Sequence, residues 1–443
     1  MIEKTADAVV VGGGLSGLTA AYRLTLGGAD TVVLEAGERP GGRVWNIPLT
    51  GSRPTEAGAM YVCASQTEII TLAAELGVTL FPSFKDGIGI AHLGGRRFEY
   101  TDGLPELPGA AVREYAGALR TMERTAGDDP RLDTFSLAAW RDEQIRDPLA
   151  RRLFDCSVSG WFAAPPSAIS FAYALHATAT CGGVRPMLRD QDAVLRFAAG
   201  SQALPDALAA FLGERVHLGE PVLEVEHDGA DSVVAATPGL RVRARRAIMA
   251  IGPAATVPVS FRPGLPRARA ALAEGWVKGP LIKTNVVYGE PFWRGKGLSG
   301  SGFTDLGAVP GFLDASPPDG SPGVLAITAF TFPERHFRGN PAAFTGDHRV
   351  RRAATLDALA ACLGPEAARP VAYLETDWRR QPYVFGCQGG LRPGALTAAG
   401  PAPHAPAGGL HWAGTESADR WTGWMNGAVQ AGERCAREVL DRL

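Results

Sequence analysis

The N-terminal stretch DAVVVGGGLSGLTAAYRLTLGG constrains the fold of this chain more than any other segment. An apolar run, residues 8–11, leads into three glycines spaced Gly12-x-Gly14-x-x-Gly17, and apolar residues then recur at helical spacing until Gly27. Glycines at this spacing let a strand turn tightly into a helix whose N-terminal amides can approach a pyrophosphate. The segment therefore predicts a strand, a tight turn and a helix that together bind a dinucleotide.

Two features further along the chain strengthen that prediction. A second predicted strand, TVVLEAG, carries Glu35 near its end, 18 residues beyond Gly17, where a carboxylate can accept hydrogen bonds from ribose hydroxyls. The following segment, GERPGGRV, adds Gly42 and Arg43, and an arginine there can place a positive charge beside the pyrophosphate. The second glycine pair favours FAD as the dinucleotide; the alternative is an ordinary turn with a solvated arginine.

Composition excludes several other classes of protein. The chain has 443 residues, more than one hydrophobic core usually serves, so two lobes are expected. A formal net charge of −2 without charged blocks indicates neither nucleic acid nor an anionic membrane as partner, and no apolar run is long enough for a membrane helix. Six scattered cysteines and eight histidines show no metal-ligand spacing, so no metal is expected. We expect a cytoplasmic protein, and a homodimer is left open.

Three segments outside the nucleotide motif carry a recognisable pattern. They are TEAGAMYV at 55–62, PLIKTNVVYGEPFWR at 280–294, and LHWAGTESADRWTGWMNGAVQAGERCAREVL at 410–440. These segments resemble the flavin amine oxidase family, which includes monoamine, polyamine and L-amino-acid oxidases. The first is similar to the segment beside the flavin ring, the second to a lysine-bearing strand, and the third to the C-terminal flavin motif. The resemblance to the monoamine oxidases covers almost the whole chain.

The resemblance implies an α/β fold, a two-lobed flavoprotein like p-hydroxybenzoate hydroxylase. Its GxGxxG Rossmann-type FAD-binding domain is expected to be discontinuous, over residues 1–78, 198–278 and 385–443. The substrate-binding domain, a mixed sheet plus helices, is expected over residues 79–197 and 279–384. The substrate cavity is then expected between this domain and the flavin.

One helix near the first boundary is predicted from its own pattern. SQTEIITLAAELG places Ser65 and Glu68 at capping-box spacing before an apolar run, and Gly77 follows the last predicted turn. The segment therefore predicts a helix that begins with a reciprocal bond between Ser65 and Glu68.

The resemblance also implies which residues contact FAD. Glu416 is expected near the ribityl or phosphate region. Met425 begins a helix whose N-terminal partial positive charge would favour the reduced, anionic flavin. The full set of expected FAD contacts is Gly12, Gly14, Leu15, Ser16, Gly17, Glu35, Ala36, Gly42, Arg43, Gly58, Ala59, Met60, Val222, Trp378, Cys387, Gly414, Glu416, Trp424, Met425 and Ala428.

Three residues are expected to take part in catalysis. Lys283 matches the family lysine that holds a water near flavin nitrogen-5, where it assists reaction with dioxygen; alone in an apolar strand, it would otherwise be read as pointing to solvent. The monoamine oxidases flank the flavin with two aromatic rings that steer the amine. Trp424 matches one ring, and Gln388 stands where the other is expected.

The substrate is constrained by a second departure from the family pattern. Tyr61 stands where the amino-acid oxidases carry an arginine that pairs with the substrate carboxylate. Tyr61, Gln388 and Trp424 are therefore the expected substrate contacts, and an amine or N-substituted compound is favoured over a simple α-amino acid. Arg185 or Arg196 could still supply a carboxylate partner from elsewhere in the chain.

Cys387, in the stretch YVFGCQGG, has two interpretations. Unpaired cysteines are commonly buried and inert. Monoamine oxidases with covalent FAD place the tethering cysteine nine residues after a tryptophan, and Cys387 stands nine residues after Trp378. Phe385 and Gln388 depart from the family pattern beside the tether. Both readings, a thioether to the flavin 8α-methyl carbon and an inert thiol, stay open.

The expected function is FAD-dependent amine oxidation. A hydride passes from the carbon next to a nitrogen to the flavin, and an imine or iminium forms. Since GLSGSGF at 297–303 is followed by no helical pattern, no second dinucleotide motif is visible, and dioxygen is the expected electron acceptor, giving hydrogen peroxide. The alternatives are a tailoring enzyme whose iminium is captured by cyclisation, a carbon–carbon desaturase, and a non-catalytic flavin-binding protein.

Overall fold

The computed structural model describes residues 2–50, 53–101, 104–189, 194–229, 231–307, 309–330, 347–384 and 386–443. Phe385, one of the two departures noted beside Cys387, lies outside these residues. The described helices are α1 Leu15–Leu26, α2 Thr67–Glu75, α3 Gly109–Arg124, α4 Leu137–Gln144, α5 Pro148–Phe162, α6 Phe171–Thr180, α7 Val184–Arg189, α8 Ala203–Leu212, α9 Arg267–Gly275, α10 His348–Leu363, α11 Ala395–Ala399 and α12 Met425–Leu440.

The strands lie between and beside these helices along the chain, and the fold is a mixed α/β arrangement. They are β1 Ile2–Val11, β2 Thr31–Leu34, β3 Asn46–Thr50, β4 Arg53–Glu56, β5 Val62–Cys63, β6 Leu80–Pro82, β7 Ile88–Leu93, β8 Arg96–Tyr100, β9 Val194–Phe197, β10 Val216–His217, β11 Glu224–His227, β12 Val233–Ala236, β13 Leu240–Met249, β14 Ser260–Arg262, β15 Trp276–Gly279, β16 Leu281–Tyr288, β17 Leu298–Thr304, β18 Gly311–Asp314, β19 Gly323–Phe330, β20 Ala372–Asp377, β21 Cys387–Leu391 and β22 Leu410–Trp412.

The first large sheet is built around parallel strands that are buried on both faces. Its order is β10-β2-β1-β13-β12-β11-β14, and β22 pairs with β13. Strands β10, β2, β1, β13 and β22 run parallel, whereas β12 is antiparallel to both neighbours. The apolar run at residues 8–11 is buried throughout, as is β2, which explains their continuous apolar sequence. Helices α1, α8 and α12 pack on one face of this sheet.

The second large sheet is mostly antiparallel. Its order is β20-β16-β19-β18-β17-β7-β8, with a single parallel pair, β17 with β7, among the described strands. Every residue of β16 is buried, because β19 and β20 flank it and side chains cover both of its faces. Helix α10 packs on one side of the sheet.

A separate core cluster is formed by α3 to α7 and includes the stacked rings of Trp140 and Phe171.

Helix α2 corrects one prediction. It begins at Thr67, one residue later than a Ser65 cap requires, and its N-cap residue, Gln66, makes no side-chain cap hydrogen bond. Instead the N–H of Ile69 donates to Asn426 Oδ1 at 3.0 Å, and Asn426 Nδ2 donates to Glu68 Oε2 at 2.9 Å. The predicted capping box is therefore wrong, because a side chain from α12 satisfies the helix end. The predicted helix itself and the position of Gly77 just beyond it agree with the structure.

The two large sheets draw on different parts of the chain. The first takes its strands from residues 2–34, 216–262 and 410–412, and the second from residues 88–100, 281–330 and 372–377. The division into two domains with the boundaries given above stays a prediction. Across the described ranges, no helix combines the length and apolar character that crossing a bilayer requires.

Candidate active site

A cavity of about 440 Å³ lies where the carboxyl ends of the parallel strands meet the second sheet. Its lining includes residues just after β1, β2, β13 and β22, the edge of an α/β sheet at which ligands usually bind. Residues of β16 and β19 line it from the second sheet. The volume falls within the range of roughly 300 to 1,000 Å³ that is usual for ligand sites. With the exception of Gly17, every predicted cofactor, catalytic and substrate residue lines this cavity.

The β1–α1 turn forms one wall of the cavity. Gly12 has a φ of +105°, which glycine adopts without strain, and the first residues of α1, Leu15 and Ser16, face the cavity. A Cβ built on Gly14 would meet no protein atom within 4 Å, so the space beside this backbone is free for a ligand. The predicted contact of Gly17 with the cofactor is wrong, because Gly17 does not line the cavity. A Cβ on Gly17 would clash with the carbonyl oxygen of Gly12. Its role is close packing.

Glu35 is held rigidly beside this turn. Its carboxylate accepts the backbone N–H of Gly13 at 2.6 Å and that of Gly37 at 2.7 Å. Burial raises the pKa of Glu35, while these two hydrogen bonds and the charge of Arg39 oppose the rise. Ala36 follows Glu35, and Val222 lies two residues after Glu220, whose N–H donates to the Glu35 backbone carbonyl at 2.8 Å; both Ala36 and Val222 line the cavity. The carboxylate is thus fixed where it can accept hydrogen bonds from the hydroxyl groups of a ligand.

Arg43 and Glu416 form an ion pair at the cavity wall. Arg43 Nη1 lies 2.8 Å from Glu416 Oε1, and Arg43 Nη2 lies 3.1 Å from Glu416 Oε2. Burial lowers the pKa of the Arg43 guanidinium, but the Glu416 charge outweighs it and the pKa is raised overall. The sequence predicted both residues separately, and it did not predict that they neutralise each other. Donors remain on Arg43 because a guanidinium carries five N–H groups.

Lys283 lies in the middle of the buried strand β16 and faces the cavity. Its Nζ lies 3.0 Å from Met60 Sδ and 5.7 Å from the centre of the Tyr61 ring. Burial lowers the pKa of Lys283 to about 8; Arg196 adds to this fall, and Glu56 opposes it. A lysine with that pKa can both hold and release a proton near neutral pH. The solvent-facing alternative for this residue is wrong, since Lys283 is 5% exposed.

Trp424 and Gln388 both line the cavity. The side-chain amide of Gln388 packs against Gly423, where an added Cβ would clash with it. Trp276 Nε1 donates to the backbone carbonyl of Gln388 at 3.2 Å. The Trp424 ring packs edge-on against Trp421, with 5.7 Å between ring centres. Trp424 Nε1 is buried and finds no hydrogen-bond partner within the described part of the chain. An unmatched buried donor beside a cavity indicates that a ligand or water completes the site.

Trp378 and Cys387, which stand nine residues apart, both line the cavity. Trp378 is buried, and its Nε1 donates to the Ala57 carbonyl at 2.7 Å, so the ring is fixed beside Gly58. Cys387 begins β21 and lines the cavity. Burial raises the pKa of its thiol, while the charges of Arg43 and Lys283 act in the opposite direction. The spacing of nine residues therefore places both side chains on one cavity.

The two alternative carboxylate partners lie elsewhere. Arg196 is buried in an ion pair with Glu56, with 2.9 Å between Arg196 Nη2 and Glu56 Oε2. Arg185 is exposed on α7, and neither arginine lines the cavity. No group of three potential metal ligands occurs in the part of the chain that the structure describes.

Several cavity residues were missed by sequence reasoning. They come from strands and turns without a motif: Ala163, Trp276, Thr328 and Val384. Ala163 and Tyr383 have φ angles of +50° and +65°, which non-glycine residues seldom adopt. Leu281 and Tyr383, which lie in or beside the segments quoted above for Lys283 and Cys387, also line the cavity.

Comparison with known proteins decides the assignment. The sequence matches the family of flavin containing amine oxidoreductases over residues 15–440. The chain belongs to this family. This finding confirms the resemblance and FAD as the cofactor, and the site fits FAD: Gly14 leaves room beside the turn, and Glu35 and the start of α1 line one continuous space with Trp424. The tailoring, desaturase and non-catalytic alternatives are not favoured.

Three similar proteins illustrate the match. A flavin-containing amine oxidase of Danio rerio is 32% identical over 464 residues, covering 99% of this chain and 87% of that protein. An L-amino acid dehydrogenase of Synechocystis sp. is 30% identical over 467 residues, covering 100% of this chain and 96% of that protein. The structure of wild-type putrescine oxidase bound to putrescine has 29% identity and a TM-score of 0.92, and it covers 100% of both chains.

Filling the free space beside Gly14 should abolish FAD binding by this amine oxidoreductase. Gly14 has a φ of −73°, so Gly14→Val strains the backbone little, yet its side chain enters the cavity. We expect a folded protein that purifies without the flavin absorbance near 450 nm. Gly289→Val is the matched control, because Gly289 is an exposed glycine with no atom within 4 Å of its Cβ position. Full flavin content in Gly14→Val would contradict the assignment of this turn.

Proposed function

We propose that this protein is an amine oxidase of p-hydroxybenzoate-hydroxylase-like architecture that reduces dioxygen to hydrogen peroxide. The observation that supports this most is that one cavity joins the nucleotide turn at Gly12 and Gly14 to the cluster of Lys283, Gln388 and Trp424. FAD bound there supplies the acceptor for a hydride from the carbon next to the amine nitrogen. The roles of the protein residues are then to bind, orient and adjust charge.

Trp424 and Gln388 are proposed to position the amine. An indole ring and a carboxamide on the same cavity present one apolar face and one hydrogen-bonding group to a substrate nitrogen. The orphaned Nε1 of Trp424 offers a further donor. Because the carboxamide cannot take a proton at neutral pH, the amine has to arrive neutral or lose its proton to solvent. The nitrogen lone pair is then free to drive hydride departure.

Lys283 is proposed to act on the dioxygen side of the reaction. Its buried ammonium would stabilise negative charge as dioxygen is reduced, and a water held at Nζ would lie beside the cofactor. Met60 and Tyr61 fix the lysine from one side. Lys283 is neither a nucleophile nor a Schiff-base residue in this scheme.

The proposed substrate is an amine or N-substituted compound without a carboxylate on the reacting carbon. Tyr61 lines the cavity and stands where the amino-acid oxidases carry an arginine, and Arg185 and Arg196 lie outside the cavity. The identity of 30% with an L-amino acid dehydrogenase does not by itself extend to amino acids, since the proposed clamp position carries no positive charge here. Hydrolysis of the iminium is the proposed fate of the product.

Cys387 is proposed to lie at the benzenoid edge of the flavin, whether or not it is bonded to the cofactor. Its position on the same cavity as Trp378 and Arg43 supports that placement. A neighbouring positive charge favours the thiolate that a thioether-forming step requires, although burial counteracts it.

Anaerobic mixing of the FAD-loaded protein with amines tests the proposed function. We expect putrescine, cyclohexylamine or benzylamine to bleach the flavin band, and the bleaching rate at subsaturating amine to rise roughly tenfold per pH unit below the amine pKa, because the neutral amine reacts. Admitting dioxygen should restore the band and release hydrogen peroxide.

Lys283→Met should leave the rate of bleaching by amine within a few-fold of that of the parent protein, and it should slow the rate at which dioxygen restores the band roughly 100-fold. A protein that no amine bleaches, but that an α-amino acid does, would overturn the proposed substrate class.

Acid precipitation tests the bond between Cys387 and the flavin. If the thioether forms, yellow colour stays in the washed pellet, and Cys387→Ala releases it into the supernatant. Cys362→Ala is the control, since Cys362 is buried in the core cluster beside α10 and does not line the cavity. Colour found wholly in the supernatant of the parent protein would exclude the covalent bond.

A further inference from the structure

A second cavity shares no described lining residue with the first. It has a volume of about 340 Å³. Its rim carries the exposed ion pair of Arg53 and Asp319, with 2.7 Å between Arg53 Nη2 and Asp319 Oδ2, and the exposed Ala198. Its wall includes the buried pair of Glu56 and Arg196. A path from solvent therefore ends on two buried charges.

Polar atoms between the two cavities lack hydrogen-bond partners. Glu56 Oε1, Arg196 Nε, Tyr61 Oη and Asn285 Oδ1 are buried, and none has a hydrogen bond to any described residue. Buried polar groups are nearly always satisfied, and where protein groups do not suffice an ordered water commonly bridges them. Four such atoms around one ion pair indicate a short chain of waters.

The geometry connects this group of atoms to Lys283. Asn285 stands two residues after Lys283 on β16, so both side chains point to the same face of the strand. Asn285 Nδ2 donates to the Glu56 carbonyl at 3.0 Å, which ties the end of β4 to this face. Tyr61 lines the first cavity and lies under Lys283. Glu56, which lines the second cavity, is thus tied to the face of β16 that carries Lys283.

Resting on the proposed function, we propose that Glu56, held by Arg196, is a positioning residue in a water-filled proton route from the second cavity to Lys283. Hydrogen peroxide contains two electrons and two protons more than dioxygen. The hydride taken from the amine accounts for both electrons and one proton, so the second proton comes from solvent. In this route a proton enters from cavity water through Glu56, and Lys283 Nζ gives one proton to dioxygen as it is reduced and is recharged.

The charges around the route are compatible with this transfer. Glu56 on β4 and Arg196 on β9 face Lys283, and so does Cys387 on β21. The charges of Arg196, Glu56 and Asp314 on β18 all act on the Tyr61 hydroxyl. Asp314 is itself in an ion pair, with 2.9 Å between its Oδ2 and Arg294 Nε. The carboxylate of Glu56 is thus the charged group on the route that favours the protonated lysine.

Blocking the second cavity at its rim tests the route without touching the proposed active site. Ala198→Trp should plug the opening, while Ala199→Trp places the same bulk at an adjacent exposed residue that does not line the cavity. In stopped-flow experiments on the amine-reduced enzyme, Ala198→Trp should slow reoxidation by dioxygen at least fivefold, and Ala199→Trp should not. Equal reoxidation rates in the two variants would overturn the proposal. Bleaching by amine should be the same in both, so failure of the proposed function would be seen separately.

Glu56 variants distinguish proton supply from entry of dioxygen. Glu56→Gln keeps the opening but removes the carboxylate, and it should slow reoxidation at least fivefold; Glu56→Asp should restore part of the rate. Loss of the Glu56 charge should also move the alkaline fall of the reoxidation rate to lower pH, because the ammonium of Lys283 is less stabilised. Slow reoxidation in Ala198→Trp with a normal rate and pH profile in Glu56→Gln would overturn the proton route in favour of gas entry.

A structural readout is independent of turnover. A high-resolution crystal structure of the parent protein should show ordered water within hydrogen-bond distance of Glu56 Oε1 and Tyr61 Oη, and a dry gap there would contradict the proposal. Asp155→Asn is the control for stability, because Asp155 pairs with Arg141 in a comparably buried ion pair that lines neither cavity. It should lower the melting temperature without changing reoxidation.

Discussion

The close contact of β1, α1 and α12 is the constraint on which the cofactor cavity depends. A Cβ on Gly17 would clash with the carbonyl oxygen of Gly12, and a Cβ on Gly432 would clash with that of Ser16. Because both positions are glycine, the start of α1 can approach β1 and α12 closely. The hydroxyl of Ser16 then accepts the N–H of Gly414 at 2.9 Å, which joins the N-terminal turn to the C-terminal motif. Two segments some 400 residues apart thus form one wall.

Among the described residues, Arg43 and Arg196 are each held in an ion pair, whereas Lys283 is not. Arg43 is neutralised by Glu416, and Arg196 by Glu56. Lys283 forms no ion pair with a carboxylate in the described part of the chain, and burial lowers its pKa to about 8. Such a group can change its charge at little cost near neutral pH, whereas the paired arginines cannot. For this reason we assign proton transfer and stabilisation of negative charge to Lys283, and a structural role to the two arginines.

The sequence predicted the parts of the site that local patterns encode. Glycine spacing predicted the turn between β1 and α1, and the position of Glu35 after β2 predicted a carboxylate beside that turn, because strand, turn and helix are contiguous. The family resemblance located Lys283, Trp424 and Cys387, which all line one cavity.

What the sequence did not predict depends on pairs far apart in the chain. At the N-terminus of α2, the N–H of Ile69 donates to Asn426, which lies 357 residues further along the chain. The local capping pattern therefore predicted the wrong hydrogen-bond partner. Glu56 and Arg196 are 140 residues apart, and Arg196 was considered as a substrate partner although its ion pair excludes it. Tertiary contacts of this kind carry no local signal, so a pattern confined to one segment cannot reveal them.

A crystal structure of the FAD-loaded protein with a bound amine tests the central claim most directly. The account predicts that flavin nitrogen-5 lies close to the water held by Lys283, and that the substrate nitrogen lies between Trp424 and Gln388. Cys387 should then be at the opposite, benzenoid edge of the ring. A flavin ring turned so that its benzenoid edge faces Lys283, or an amine bound away from Gln388 and Trp424, would contradict the account.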